Sequence, residues 1–235
     1  MLDAKNRVIM VSGANRGIGL ATAELLIKKG YLVSLAARNP DEIPIHNEIG
    51  KVIKCKWDAK KKITSKDWVN ETLSIFNKLD GIVMNVGVEL GGDLDGDTEK
   101  EFDEMFEVNF KGPLRLVRET LPDLRKSGSG RIVNVVSLAG KRPRKSKMLG
   151  YSASKFAAMS LTNAIRLSGW DDGIRATSVC PGMVKTRMTE EVMVPDGHFK
   201  MEPEVIAQTI AYALSLPNSA AVAEILVNSR LEDMF

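Results

Sequence analysis

A chain of 235 residues is long enough to form one large domain with a substantial hydrophobic core. Hydrophobic residues make up 44% of it and charged residues 27%, which is typical of a soluble globular protein. The formal net charge of +3 is too small to indicate nucleic-acid binding.

The cysteines, the histidines and the apolar runs narrow the possibilities further. Cys55 and Cys180 lie on separate apolar runs without C-x-x-C spacing, which indicates buried free thiols rather than a disulfide. Two histidines, His46 and His198, cannot build a His-rich metal site, so we expect no metal. The first strand begins close to Met1 and no apolar run approaches about 20 residues. We therefore expect no signal peptide, no membrane partner and a cytoplasmic protein.

Strand-like and helix-like patterns alternate throughout the chain. This order predicts a single α/β domain over residues 1–235, with a doubly wound, seven-stranded, mainly parallel sheet and helices on both faces. Gly112-Pro113 interrupts the third helical pattern, where we expect a kink or a break. The predicted strands cover residues 8–12, 32–36, 52–56, 81–85, 131–136, 175–180 and 224–227, and the predicted helices lie near 17–29, 65–78, 98–125, 151–168 and 203–216.

The first strand leads into a glycine-rich turn, Gly13-Ala14-Asn15-Arg16-Gly17-Ile18-Gly19, and then into a helical pattern. Backbone N–H groups at such a turn, with a helix N-terminus behind them, can hold a pyrophosphate. Glycines let the chain turn tightly and let its backbone approach a ligand. The spacing is G-x-x-x-G-x-G rather than the general G-x-G-x-x-G, and the alternative is an ordinary glycine-rich connection.

The residues after the second strand bear on the choice of cofactor. Proteins that bind NAD usually carry an acidic residue about 20 positions after the glycines, which bonds the ribose 2′-OH. Here Ala37 is followed by Arg38, and Arg16 in the glycine turn supplies a second guanidinium group. Because arginine suits phosphate oxygens, the pair predicts NADP(H). The alternative is that both arginines are solvated.

Polar and glycine residues follow the carboxyl ends of several predicted strands. They are Ser12 to Gly19, Asn85 to Gly87, Ser137 and Pro181-Gly182. Ligands of parallel α/β sheets bind beyond these ends. We therefore expect the four groups to converge on one crevice.

Tyr151 and Lys155 stand four residues apart in a helical pattern, so they share one face of the helix. A fixed cation favours the phenolate and lowers the pKa of a tyrosine, which suits it to general acid/base chemistry. Such a pair is a weak signal by itself, because many helices carry one on a solvated face.

Together these motifs resemble the short-chain dehydrogenase/reductase family, a family of Rossmann-type proteins, over nearly the whole chain. Met84 and Val86 depart from the family's Asn-Asn-Ala-Gly. The C-terminal segment 223–228 looks more like the branch that acts on small hydroxy acids and assorted carbonyls than like fatty-acid ketoacyl reductases. The matching segments are Ser12 to Gly19, Met84 to Gly87, Val108 to Gly112, Asn134 to Ser137, Tyr151 with Lys155, and Pro181-Gly182 with Thr186.

The resemblance implies hydride transfer between NADP(H) and a carbonyl or alcohol carbon of a small molecule. It makes Tyr151 the proton donor, and Ser137 the group that holds the substrate oxygen. It makes Lys155 the residue that tunes Tyr151 and binds the nicotinamide ribose, and it has Asn109 hold a water. The implied cofactor-binding residues are Ser12, Gly13, Asn15, Arg16, Gly17, Ile18, Gly19, Arg38, Asp58, Asn85, Gly87, Tyr151, Lys155, Pro181, Gly182 and Thr186.

Some of these roles have local alternatives. Thr186 would bind the nicotinamide carboxamide, or it is a loop hydroxyl. Asp58 would contact the adenine, or it is a loop or N-cap acid. The basic run 141–147 could attract an anionic substrate, but charge runs usually face water. Residues 183–200 read as a mobile apolar lid over the substrate.

The resemblance also implies assembly and leaves a second function open. Family members pair through the helices predicted at about 98–125 and 151–168, so we expect a homodimer or homotetramer. The alternative to an enzyme is a catalytically idle NADP(H)-binding sensor or assembly partner on the same fold. The intact Ser137, Tyr151 and Lys155 favour the enzyme.

Overall fold

The computed structural model describes residues 1–48, 50–96, 98–143, 145–194 and 199–231. Within them the strands are β1 Val8–Ser12, β2 Leu32–Ala37, β3 Val52–Lys56, β4 Gly81–Met84, β5 Arg131–Val135, β6 Arg175–Pro181 and β7 Glu224–Val227. The α-helices are α1 Gly17–Lys28, α2 Lys62–Phe76, α3 Glu99–Phe106, α4 Gly112–Lys126, α5 Leu149–Gly169 and α6 Pro203–Ser215. All the predicted strands are present, and their ends differ from the prediction by one residue at most.

The strands form one sheet in the order β3-β2-β1-β4-β5-β6-β7, and every neighbouring pair is parallel. The predicted fold class is confirmed, and the described sheet is parallel throughout rather than mainly so. The strand order reverses between β1 and β4, because β2 and β3 lie on one side of β1 and the later strands on the other. In such sheets ligands bind beyond the carboxyl ends of the strands at the reversal point.

Helices cover both faces of the sheet. On one face α1 and α6 contribute Leu26 and Ile210 to a buried apolar cluster. On the other face α2, α4 and α5 contribute Trp68, Leu116 and Leu161 to a second cluster. The central strands β1, β4 and β5 are buried along their whole length, as a sheet that is covered on both faces requires. The two clusters hold the sheet rigid, so the loops at its carboxyl edge have fixed starting points.

The helix starts show where apolar periodicity failed as a guide. α2 begins at Lys62, three residues before its predicted start at 65. The side chain of Ile63 in this first turn is 62% exposed. Because Lys62 and Ile63 are exposed, they add nothing to the apolar periodicity of α2. The prediction from that periodicity therefore began the helix too late, at residue 65.

The third predicted helical stretch is interrupted, as expected, but the helix widens instead of breaking. α3 passes into a π-helical turn, Glu107–Lys111, which leads directly into α4. Across this turn the N–H of Gly112 donates to the carbonyl of Glu107. Pro113 has no N–H, so the carbonyl of Asn109 loses the donor that a regular α-helix would supply.

Three further features concern the thiols, the potential metal ligands and the helix lengths. Cys55 and Cys180 are buried free thiols. Among the described residues, no group of three or more His, Cys, Asp or Glu side chains could hold a metal ion. In that same part of the chain, no helix has the length and apolar character needed to cross a bilayer.

Candidate active site

The predicted site residues follow several different strands, and the structure brings most of them to one cleft of about 970 Å³ at the carboxyl edge of the sheet. Ser12, Gly19 and Asn109 are buried behind its surface and do not line it. The predicted residues that line the cleft are Gly13, Asn15, Arg16, Gly17, Ile18, Arg38, Asp58, Asn85, Gly87, Ser137, Tyr151, Lys155, Pro181, Gly182 and Thr186.

The glycine turn requires glycine for two separate reasons. Gly13 and Gly17 have φ angles of +65° and +54°, in the left-handed region that favours glycine. A Cβ atom on Gly19 would lie 2.1 Å from the carbonyl oxygen of Gly13. α1 begins at Gly17, and its N-cap residue Arg16 makes no side-chain capping bond. The first N–H groups of α1 therefore remain available to an anion, which the helix dipole also favours.

Ser12 and Asn85 brace this turn against β4. The hydroxyl of Ser12 accepts a hydrogen bond from the backbone N–H of Asn85 at 2.9 Å and donates to the carbonyl of Val83 at 3.3 Å. The side-chain amide of Asn85 donates to the carbonyls of Ser12 and Gly13 at 3.2 and 3.3 Å. The structure thus gives Ser12 a positioning role, because its buried hydroxyl holds the turn from behind.

Two arginines and one carboxylate stand at the end of the cleft beyond β2. Arg16 and Arg38 line the cleft, and neither side chain makes a hydrogen bond or ion pair with another described residue. Glu42, which the sequence did not single out, lines it too. Its carboxylate accepts hydrogen bonds from the amides of Asn39 and Asn15 at 3.3 and 3.4 Å. Both guanidinium groups are therefore available to bind a phosphate. The carboxylate of Glu42 adds one negative charge to the same cleft.

Asp58 lines the cleft and also organises the turn before α2. Its carboxylate accepts a hydrogen bond from the N–H of Lys60 at 3.0 Å. Its own N–H donates to the hydroxyl of Thr64 at 3.1 Å. The two roles considered for Asp58, adenine contact and local capping acid, are both compatible with these contacts.

Ser137, Tyr151 and Lys155 meet where β5 faces the start of α5. Tyr151 and Lys155 are only 7% and 4% exposed. The ammonium of Lys155 lies 5.7 Å from the centre of the Tyr151 ring and donates to the carbonyl of Val135 at 3.3 Å. The hydroxyl oxygen of Ser137 accepts the N–H of Ala139 at 3.1 Å, which leaves the Ser137 hydrogen able to donate. The three polar groups therefore surround one small region of the cleft.

Asn134 fixes the spacing between the strand and the helix that carry these groups. Its side-chain amide crosses from β5 to α5 and donates to the carbonyl of Ala158 at 3.1 Å and to the hydroxyl of Thr162 at 3.0 Å. In the sequence, this role of Asn134 is indicated by a polar residue between the valines of β5. These bonds fix the position of Ser137, which follows β5, relative to Tyr151 on α5.

Burial controls the pKa values of the tyrosine and the lysine. Burial raises the pKa of the Tyr151 phenol to about 12, while its hydrogen bond with Ser137 opposes the rise and the charge of Glu89 adds to it. Burial lowers the pKa of the Lys155 ammonium to about 8. The expected lowering of the Tyr151 pKa is wrong for this structure. The loss of water around the buried phenolate is the largest effect, and it raises the pKa.

Asn109 uses its whole side-chain amide to clamp a loop. Its oxygen accepts the N–H of Val88 at 2.8 Å, and its nitrogen donates to the carbonyl of Val88 and to the hydroxyl of Ser154, both at 2.9 Å. The Ser154 hydroxyl in turn donates to the carbonyl of Tyr151 at 2.7 Å. Binding of a water by Asn109 stays a prediction, and its side-chain amide is already engaged in these three bonds.

A family model described as "short chain dehydrogenase" matches residues 7–195. The chain belongs to the short-chain dehydrogenase family. An uncharacterized oxidoreductase from Staphylococcus epidermidis is 32% identical over 234 residues, which cover 97% of this chain and 99% of that protein. The agropine synthesis reductase of Rhizobium rhizogenes is 34% identical over 220 residues, 92% of this chain and 50% of that protein. This chain thus spans about half the length of the agropine synthesis reductase.

A solved structure extends the similarity toward the C-terminus. The alcohol dehydrogenase from the archaeon Thermococcus sibiricus, complexed with 5-hydroxy-NADP, has a TM-score of 0.84 to this chain at 27% sequence identity. The similarity covers 96% of this chain and 99% of that one. It therefore extends past residue 195, where the match of the family model ends, and takes in at least part of α6.

In this short-chain dehydrogenase, the segment after β6 faces the glycine turn. A Cβ atom on Gly17 would lie 3.2 Å from the Thr186 methyl group. Thr186 begins a short helical turn, Arg187–Thr189, and exchanges capping hydrogen bonds with Thr189. Gly182 is held by its N–H, which donates to the carbonyl of Val227 at 2.8 Å. Thr186 thus closes the cleft from the side opposite α1.

The predicted lid, residues 183–200, lies partly outside the described residues, which omit 195–198. The two ends of the segment are joined by a parallel bridge between Val184 and Met201. Met188 lines the cleft. The position of this segment fits the predicted lid, and its movement stays a prediction.

The basic run 141–147 lies apart from the cleft. The ammonium of Lys141 pairs with the carboxylate of Glu224 at 2.7 Å. Of the described residues in this run, which exclude Arg144, none lines the cleft. This arrangement favours a solvated loop over a substrate-attracting one.

Several charged residues of the cleft were missed by sequence reasoning, and two of them stand next to predicted site residues in the chain. Glu89 and Arg187 both line it. Each stands beside a predicted site residue in the chain, since Glu89 follows Gly87 by two positions and Arg187 follows Thr186 directly. Proximity to those motifs was the signal that could have identified them.

Proposed function

We propose that this protein is an NADPH-dependent oxidoreductase that transfers a hydride between nicotinamide and a carbonyl or secondary alcohol carbon of a small substrate. The observation that carries the proposal is the meeting of Ser137, Tyr151 and Lys155 in the cleft that the glycine turn also lines. Membership of the short-chain dehydrogenase family supports the reaction class.

The residues at the cleft fit a dinucleotide with an extra phosphate. The glycine turn offers uncapped N–H groups at the start of α1. A Cβ atom on Gly13, earlier in the same turn, would lie 3.0 Å from Val86, so a side chain there would crowd the cleft. Arg16 and Arg38 offer two unpaired guanidinium groups for a 2′-phosphate. When bound, the cofactor supplies the hydride. The complex of the Thermococcus sibiricus alcohol dehydrogenase with 5-hydroxy-NADP supports the same preference here.

Tyr151 is the proposed proton donor in carbonyl reduction. With a pKa of about 12, its phenol keeps its proton at neutral pH and can hydrogen-bond the substrate oxygen. Ser137 already accepts the N–H of Ala139, so it donates its hydrogen to the same substrate oxygen. Two donors aimed at one oxygen stabilise the negative charge that develops there as the carbonyl is reduced.

Lys155 stabilises the phenolate that remains after Tyr151 has given up its proton. With a pKa of about 8, its ammonium is largely protonated at neutral pH, and the positive charge favours the ionised tyrosine. A Cβ atom on Gly87 would lie 3.2 Å from the Lys155 ammonium. Glycine at this position therefore leaves room beside the ammonium for ribose hydroxyls.

We also propose that the protein is one domain that assembles as a homodimer or homotetramer through α4 and α5. Phe156 and Leu167 on α5 are apolar, yet they are 45% and 85% exposed. Burial of such side chains against a second copy would remove apolar surface from water. This exposed apolar surface on α5 supports the proposal.

The function is tested by following NADPH consumption on a panel of ketones, aldehydes and keto acids. We expect turnover by the wild type and a loss of about 10²- to 10⁴-fold in Tyr151→Phe, which removes the proton donor and keeps the ring. Tyr212→Phe is the matched control, because Tyr212 is 50% exposed on α6 and does not line the cleft. No turnover on a broad panel, or full activity of Tyr151→Phe, would contradict the proposal. Tight NADPH binding without turnover would favour an idle binding protein.

A further inference from the structure

Glu89 is a charged side chain of the cleft that the proposed mechanism does not use. It lines the cleft together with Tyr151, and its negative charge acts on the Tyr151 phenol. It makes no ion pair or hydrogen bond with another described residue. This carboxylate therefore lines the same cleft as the reacting oxygen, acts on it electrostatically and still has its acceptor atoms available.

The position of Glu89 is fixed by its neighbour in the chain. Both backbone groups of Val88 are held by the amide of Asn109, at 2.8 and 2.9 Å. Asn109 is in turn bonded to Ser154, which bonds to the backbone of Tyr151. The loop that carries Glu89 is thus tied to the helix that carries Tyr151. A side chain on such a clamped loop can contribute to substrate selection at little cost in ordering.

We infer that Glu89 is a specificity-determining residue, which selects carbonyl substrates that carry a cationic nitrogen and disfavours those that carry a carboxylate. The inference rests on the proposed function and names the substrate class of the same site. Opposite charges across a binding surface raise affinity for the right ligand, and like charges exclude the wrong one.

The electrostatic surroundings of Glu89 support this choice. Glu89 is exposed on the wall of the cleft, yet partial loss of water raises the pKa of its carboxyl, and no positive charge among the described residues counters that rise. The ammonium of Lys155, which lines the same cleft, donates to the carbonyl of Val135 instead. A cationic substrate would supply the missing counter-charge, whereas an anionic substrate would add a second negative charge.

The test compares three aldehydes that differ in charge: 4-(trimethylammonio)benzaldehyde, its neutral isostere 4-tert-butylbenzaldehyde, and 4-formylbenzoate. Their kcat/KM values with NADPH are measured for the wild type and for Glu89→Gln, which removes the charge and keeps the shape. Because intrinsic reactivity cancels between the two proteins, the cation-to-neutral ratio reports the charge of residue 89. We expect this ratio to fall about tenfold in Glu89→Gln, equal to about 1.4 kcal/mol, and the carboxylate-to-neutral ratio to rise.

Glu104→Gln is the matched control. Glu104 also lines the cleft, but its carboxylate is already paired with the Lys60 ammonium at 2.9 Å. We expect its ratios to equal those of the wild type. Wild-type and Glu89→Gln ratios within about twofold of each other, or an equal change in Glu104→Gln, would overturn the inference while leaving the proposed function in place.

Binding of the same three compounds in the presence of NADP⁺, measured by calorimetry, makes the test independent of turnover. We expect the wild type to bind the cation more tightly than its neutral isostere, and Glu89→Gln to lose that preference. If this holds while no aldehyde is reduced, the charge preference conferred by Glu89 stands and the proposed function fails. Equal affinity of the wild type for all three compounds would overturn the inference.

Discussion

Replacement of Arg38 by aspartate is expected to weaken NADPH binding and to leave NADH binding unchanged or slightly improved. Arg38 is exposed, lines the cleft beyond β2 and bonds to no other described residue. Its removal therefore costs the fold no contact. NADPH and NADH differ only in the 2′-phosphate, so a change confined to NADPH isolates the contact with that group.

The expected size follows from the charges at this end of the cleft. A hydrogen bond to a charged group contributes about 1.5–3 kcal/mol. Arg38 is solvent-exposed and the carboxylate of Glu42 is held nearby, so we take the lower end of that range. Arg16 remains in the variant, while the new aspartate repels the phosphate. The NADPH-to-NADH affinity ratio should therefore fall by about tenfold or more.

Titration of both cofactors into the wild type and Arg38→Asp, followed by calorimetry or by protein fluorescence, measures this ratio directly. Lys29→Asp is the matched control, because it makes the same change of charge next to the C-terminal end of α1, away from the cleft. We expect the control to keep the wild-type ratio. An unchanged ratio in Arg38→Asp would refute the assignment of the 2′-phosphate to this site.

The remaining predictions concern pH, stability and assembly. The kcat/KM for carbonyl reduction should fall as pH rises through about 8, because the ammonium of Lys155 then loses its charge, and a pH profile flat from 6.5 to 9.5 would contradict this. Asn109→Ala should lower the free energy of unfolding by about 2–4 kcal/mol in urea titrations, because it leaves the backbone groups of Val88 unpaired, whereas the exposed Asn163→Ala should change it by less than about 0.5 kcal/mol. Light scattering should show a dimer or tetramer that Leu167→Glu weakens, and a wild-type monomer at micromolar concentration would remove the assembly proposal.

Much of the fold followed from local sequence signals. The strands are continuous apolar runs bounded by turn residues, which is the pattern of a parallel sheet buried on both faces. The glycine turn was recognisable because Gly13, Gly17 and Gly19 occupy positions that other residues tolerate poorly. Once strands and helices alternate, the carboxyl edge of the sheet is the expected place for the site, and Ser137 and Tyr151 do line a cleft there.

The features that escaped prediction depend on contacts between distant parts of the chain. The clamp of Asn109 on Val88 joins residues 21 positions apart, and no local pattern reveals it. The pKa of Tyr151 depends on how deeply the fold buries the phenol, so the nearby lysine gave the wrong direction. Glu42 carries no motif, and only the three-dimensional arrangement brings it into the cleft.

Transfer of deuterium from NADPH to product tests the central claim most directly. Wild-type protein would be given NADPH labelled with deuterium at the transferring C4 position, together with a carbonyl compound that it consumes, and the alcohol would be analysed by mass spectrometry. We expect one deuterium on the former carbonyl carbon, and almost no labelled alcohol from Tyr151→Phe in the same time. Cofactor oxidation that yields unlabelled product, or labelled alcohol at the wild-type rate from Tyr151→Phe, would contradict hydride transfer assisted by this tyrosine.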